Sequence, residues 1–177
     1  MLKKNKTFIF KILSFFLSIF LVFLSLEIYV RKIVDDGLNL DIEMLKYANS
    51  LKIISKNEAV GLEHKKNIEK KLMNVNIKLN SQGFRNNMDI DIEKKKILML
   101  GDSMTLGWGS IETFSTHLEK NINQDIQVLN AGIGNTNTYM QINNFFTNFV
   151  KYDFDVIILN LLTNCESYVS NSFCFNT

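Results

Sequence analysis

The chain has 177 residues, 46% hydrophobic and 21% charged, which is enough for one packed domain plus accessory segments and too apolar for wholesale disorder. Its net charge of +2 arises near the N-terminus: without Lys3, Lys4, Lys6, Lys11, Arg31, Lys32 and Glu27, the remainder holds 14 basic against 17 acidic residues. That balance excludes a basic nucleic-acid footprint.

The first apolar stretch is the strongest local signal. Ile12 to Leu26 is an unbroken run of apolar residues and serine, and with Thr7–Phe10 and Ile28–Val30 it reaches the ~20 residues needed to cross a bilayer core. A helix buried in a soluble domain would show a polar face, and here there are only scattered serines. A cleaved signal peptide is the alternative, but the run is followed by Leu26-Glu27-Ile28-Tyr29, which is not a small-x-small cleavage site, so an uncleaved signal anchor is favoured. Lys11 and Glu27 sit near the ends of the stretch, where long side chains reach toward headgroups. Four lysines precede the run, and the positive-inside rule then keeps the N-terminus cytoplasmic and puts the rest of the chain on the other side. Residues 1–32 are therefore read as a cytoplasmic tip and single-pass anchor, with the bilayer as partner through residues 7–30.

Residues 33–95 read as a connector. The part from 38 to 73 is polar and lysine-rich, helical or loosely ordered, and His64, within Glu63-His64-Lys65-Lys66, reads as a solvated surface residue. Val75-Asn76-Ile77-Lys78-Leu79 alternates with period two, as a half-buried strand does, and Asn80-Ser81-Gln82-Gly83 supplies turn chemistry.

From residue 96 to 177 the pattern becomes regular. Ile97–Leu100, Ile126–Leu129 and Val156–Leu159 are short apolar runs expected to form buried strands. Between them, Ile111, Phe114 and Leu118 have helical spacing, as do residues 139 to 150, with Phe145, Phe146 and Phe149 on one side. This alternation predicts an α/β fold with a parallel sheet flanked by helices in three layers. Ligands of such sheets bind beyond the carboxyl ends of the strands. Three segments should meet there: Gly101-Asp102-Ser103, Asn130 to Asn137, and Asn160 to Asn164. Ser103 lies between strand and helix, where its hydroxyl either projects into the crevice or merely caps the helix. Cys165 and Cys174 have neither CxxC spacing nor a nearby histidine pair, so they make no zinc signature; they form a disulfide or remain unpaired.

Gly-Asp-Ser-Met-Thr-Leu-Gly-Trp-Gly (101–109) after an apolar strand resembles the first block of SGNH/GDSL hydrolases. Val128 to Thr138 resembles the second block and Asp155 to Asn164 the third, while Asn80-Ser81-Gln82-Gly83-Phe84-Arg85 is similar to a segment upstream of the serine in many anchored members. The resemblance spans residues 80 to 165 and implies a flavodoxin-like fold. It implies Ser103 as nucleophile and oxyanion N–H donor, with Asp102 as its block neighbour. Gly134 is the second donor, or Asn135 by ungapped matching, and the Asn164 side-chain amide is the third. Such a donor contributes typically ~3 kcal/mol to the transition state. No metal or organic cofactor is implied, and the substrate class is an acyl ester, on a glycan or a lipid.

Two departures stand out. Asn164 is followed by Cys165 where the family has Asp, and the family's Asp-x-x-His general base is absent from the sequence. His117 does not substitute for it: it lies on the helix leaving the serine, fourteen residues past Ser103, about 20 Å along a helix at ~1.5 Å per residue. Its expected role is packing or solvent exposure. The ending from Ser167 has no strand periodicity, and the expectation is a C-terminally incomplete homologue lacking the last strands. Three functions stay open: a membrane-anchored ester hydrolase, a polysaccharide O-acetyltransferase-like protein, and a catalytically inactive tethered fragment.

Overall fold

The computed structural model describes residues 2–161. Asn164, Cys165, Cys174 and the serine-rich ending lie outside the described residues. The chain divides into two compact units, residues 1–46 and the remainder from Tyr47.

In the first unit, helix α1 (Leu2–Tyr29) runs into a π-helical turn at Val30–Val34. The stretch Phe10–Val34 is long and apolar enough to cross a membrane, and none of it is buried in the protein. Several of its polar side chains are satisfied locally. The Ser18 hydroxyl donates to the Ser14 carbonyl at 2.9 Å, and that of Ser25 to the Val22 carbonyl at 2.8 Å. Arg31 and Glu27 pair at 2.6 Å one turn apart, so Glu27 is neutralised by its neighbour. Just beyond, Lys46 bridges Asp35 at 2.7 Å and Glu43 at 2.8 Å, and the bridge holds the half-buried Asp35 carboxyl below its ordinary range. Helix α2 (Leu40–Leu51) carries the chain across the boundary between units.

The second unit begins with two small antiparallel ribbons. Strand β1 (Lys52–Ile54) pairs with β2 (Leu62–His64), and β3 (Ile68–Leu72) with β4 (Val75–Leu79). The β3–β4 turn is made by Met73 and Asn74, both with positive φ, the twist that matches two tightly connected strands. Along β4, Val75, Ile77 and Leu79 point inward and Asn76 and Lys78 outward, the alternation the sequence predicts. The residues before Val75 are more ordered than a loose connector: β1, β2 and β3 all lie there.

The main sheet has the order β6-β5-β7, all parallel, from β5 (Lys95–Gly101), β6 (Ile126–Gly132) and β7 (Val156–Leu159). Helix α3 (Ser103–Leu106) follows β5 directly, then α4 (Phe114–Asn121) leads to β6. Helix α5 (Thr138–Asn144), a π-helical turn (Phe145–Phe149) and a 3-10 turn (Val150–Tyr152) connect β6 to β7. Leu98, Leu100, Leu129 and Ala131 of the sheet, with Phe84 and Phe149, form a buried cluster. The Phe84 and Phe149 rings meet edge to face, 4.8 Å between centroids.

Three local expectations are corrected. Val156 and Ile157 are 47% and 45% exposed, because β7 is an edge strand among the described residues rather than a strand buried on both faces. Ile111 and Phe114 are also exposed, and α4 turns inward Ser115, two residues past its buried N-cap Thr113. Of the three phenylalanines after α5, Phe146 is exposed while Phe149 is buried.

Candidate functional site

Register brings the three strand ends together. Leu100 of the central strand is opposite Ala131 on one side and Leu159 on the other, and Gly101 is opposite Gly132. The segments carrying Ser103, Gly134 and Asn160 thus leave the sheet at the same end.

Ser103 is the first residue of α3, and the cap is Asp102, whose carboxylate accepts from the Met104 N–H at 2.9 Å. This removes the reading in which Ser103 is only a helix cap, and gives Asp102 a structural task. Side chains from both neighbouring strands tie α3 down. Fully buried Asn130 of β6 donates to the Thr105 carbonyl at 2.7 Å and to the Ser115 hydroxyl at 3.1 Å, and accepts from the Gly132 N–H at 3.0 Å. Asn160, just past β7, donates to the Thr105 hydroxyl at 3.2 Å. A Cβ built on Gly132 would stand 2.3 Å from the Leu106 nitrogen, so only glycine lets α3 lie against the end of β6.

The Asn80–Arg85 segment supports the same turn. The buried Asn80 carboxamide accepts from the N–H groups of Gln82 at 3.0 Å and Phe84 at 2.9 Å, and Gly83 at φ 88° turns the chain. Phe84 then enters the core and Arg85 turns toward α3. Its guanidinium donates to the carbonyls of Leu106 (2.7 Å), Gly107 (2.6 Å) and Ser110 (2.7 Å). The sequence marks Asn80–Gly83 as a turn, and the structure adds that Arg85 closes the loop that carries Ser103.

A second network surrounds Gly134. The Gly134 N–H donates to the Tyr47 hydroxyl at 3.0 Å, which is 2.7 Å from His64 Nε2; His64 Nδ1 is 3.0 Å from the Gly83 carbonyl. A carbonyl only accepts, so Nδ1 carries the proton, Nε2 accepts from Tyr47, and the imidazole is neutral. Complete burial agrees, pushing the His64 pKa down to about 4. The expectation of a solvated His64 is therefore overturned: β2 turns it inward between Tyr47 and Gly83. Lys52 Nζ donates to the Gly134 carbonyl at 3.1 Å and lies 4.6 Å from the Tyr47 ring centroid, with its pKa lowered by burial. The Trp108 ring packs on Tyr47 at 5.2 Å. Tyr47 and Lys52 went unnoticed in the sequence because their partner is more than eighty residues away.

Of the expected donors, Gly134 has its N–H engaged by Tyr47, whereas Asn135 is exposed, with φ 61° in the left-handed region. Asn164 falls outside the described residues. His117 is exposed on α4 beside Glu112, at 3.3 Å, in line with its expected role. A separate cavity of about 650 Å³, walled by Lys78, Asn86, Lys94, Thr116, Glu119 and Gln127 among others, lies toward the start of β6, away from the strand ends that carry Ser103. Among the described residues, no cluster of three His, Cys, Asp or Glu side chains could hold a metal ion. No protein-family model and no curated protein matches the chain.

Proposed function

We propose that this chain is a membrane-anchored serine ester hydrolase of the SGNH/GDSL type, with Ser103 as nucleophile, its N-terminus cytoplasmic and its α/β unit outside the cytoplasm. One observation carries the reading: Ser103 starts the helix after the central parallel strand, at the sheet end where the Gly134 loop and the Asn160 turn also emerge. A hydroxyl there can attack an acyl carbonyl while backbone and side-chain N–H groups hold the developing oxyanion. An acyl group on a glycan or lipid near the membrane suits a tethered enzyme. Transfer to a sugar hydroxyl instead of water is the enzymatic alternative, with the same nucleophile.

The inactive-fragment alternative has an observation of its own. His64 has both ring nitrogens engaged by Tyr47 and Gly83, and His117 pairs with Glu112, so neither is hydrogen-bonded as a base to Ser103. The test is hydrolysis of p-nitrophenyl acetate by the full chain in detergent, beside a Ser103→Ala variant. A rate lost in the variant supports the enzyme, and equal rates overturn it.

A further inference from the structure

Both polar groups of Gly134 are gripped from the same side. Its N–H meets the Tyr47 hydroxyl and its carbonyl meets Lys52 Nζ, and those two side chains pack on each other. The Gly134 carbonyl shares a peptide plane with the N–H of Asn135. Among the described residues no peptide bond is cis, and in a trans peptide these two groups point in opposite directions. With the carbonyl aimed at buried Lys52, the Asn135 N–H must aim away from it, and Asn135 is an exposed residue held at φ 61°. Tyr47 is fixed in turn by His64, and a Cβ on Gly134 would come within 2.9 Å of the Tyr47 ring, so the grip leaves little room to rotate.

We infer that Lys52 and Tyr47 are positioning residues that clamp Gly134 and present the N–H of Asn135 as a polarised donor to the acyl oxyanion. The inference rests on the ester-hydrolase reading of Ser103 and goes beyond it by choosing between the two candidate donors and naming what sets the choice. The ammonium group draws electron density through the Gly134 carbonyl and along the peptide, so the N–H at the far end becomes a stronger hydrogen-bond donor. Buried between Tyr47 and the loop, the charge acts through a medium that screens it less than water does. Tyr47 makes no such electronic contribution. Its hydroxyl occupies the Gly134 N–H and keeps that group from competing.

The test uses the full chain in detergent micelles, labelled with 15N-asparagine, with the Asn135 amide assigned through an Asn135→Asp variant. In Lys52→Met the Asn135 amide proton should move upfield while the other asparagine signals stay in place, and in Lys52→Arg it should stay near the parent position. With p-nitrophenyl acetate, Lys52→Met should lower kcat about tenfold at unchanged KM, and Lys52→Arg should recover most of that loss. Lys52→Gln, which keeps a donor without the charge, serves if the methionine variant does not fold. An Asn135 amide unmoved in the neutral variants, or Arg and Met variants equally slow, overturns the clamp. A Ser103→Ala chain as active as its parent is a separate outcome, overturning the hydrolase reading on which the donor role rests.

Discussion

Arg85 Nη1 lies 2.7 Å from the Leu106 carbonyl and 2.6 Å from that of Gly107, so a residue preceding the main sheet closes the turn that follows Ser103. Helix α3 is only four residues long and cannot hold its own shape. Arg85→Met should destabilise the second unit by about 3 kcal/mol, because it leaves three carbonyls without their charged donor. Arg85→Lys should recover only part, since a single ammonium does not match the spread of those three oxygens. Thermal unfolding followed by the fluorescence of Trp108, the chain's single tryptophan, measures both.

Gly132 and Gly134 should respond differently to the same added methyl group. At Gly132 the new Cβ meets the backbone of α3 at 2.3 Å, so the helix must move. At Gly134 it meets the Tyr47 ring at 2.9 Å, and a side chain has more freedom to shift. Gly132→Ala is expected to cost about 3 kcal/mol and Gly134→Ala about 1 kcal/mol, at the two ends of the overpacking range. Equal costs in denaturant unfolding would show that α3 and Tyr47 yield alike.

What was readable beforehand and what was not divides along physical lines. The strands at 97–100 and 126–129, the alternating 75–79 and the convergence of three strand ends follow from local periodicity, and all are present. The hairpin strand Ile68–Leu72 was hidden because Glu69, Lys70 and Lys71 face solvent and its turn is Met73-Asn74 rather than a glycine pair. His64 was misread because its neighbours are charged, whereas its environment is set by Tyr47 and Gly83, seventeen and nineteen residues away. Ile111 and Phe114 misled in the opposite sense. Their spacing is helical, but both are exposed, and it is Ser115 of α4 that hydrogen-bonds Asn130 of the sheet. The choice between Gly134 and Asn135 needs the direction of a peptide plane, which no spacing reveals.

Burial of neutral His64 couples stability to pH. Its folded pKa of about 4 lies below the ordinary 6.5, so the unfolded chain takes up a proton first as pH falls. Above pH 6.5 this residue costs nothing. Between 6.5 and about 4 stability drains away, and below 4 both states are protonated and the loss levels off near 3 kcal/mol. His64→Gln should flatten that interval in unfolding curves recorded by Trp108 emission. A parent chain with constant stability from pH 6.5 to 4 would contradict the buried, neutral imidazole.

Membrane insertion of α1 has a test that does not depend on the enzyme. Val22 lies midway along the Phe10–Val34 stretch, where an arginine costs about 3 kcal/mol in a bilayer. One such charge can be partly relieved because the side chain reaches toward the headgroups, so Val22→Arg alone should leave much of the chain inserted. Leu17→Arg/Val22→Arg adds a second charge about 7.5 Å along the helix, still within the apolar stretch, and should release most of the protein into the alkaline-carbonate supernatant. Ser18→Leu should strengthen retention only slightly, because the Ser18 hydroxyl already donates to the Ser14 carbonyl and presents little unmet polarity to lipid. If the double arginine variant pellets with membranes as fully as the parent, the stretch is held there by something other than its apolar length, and the anchor reading fails.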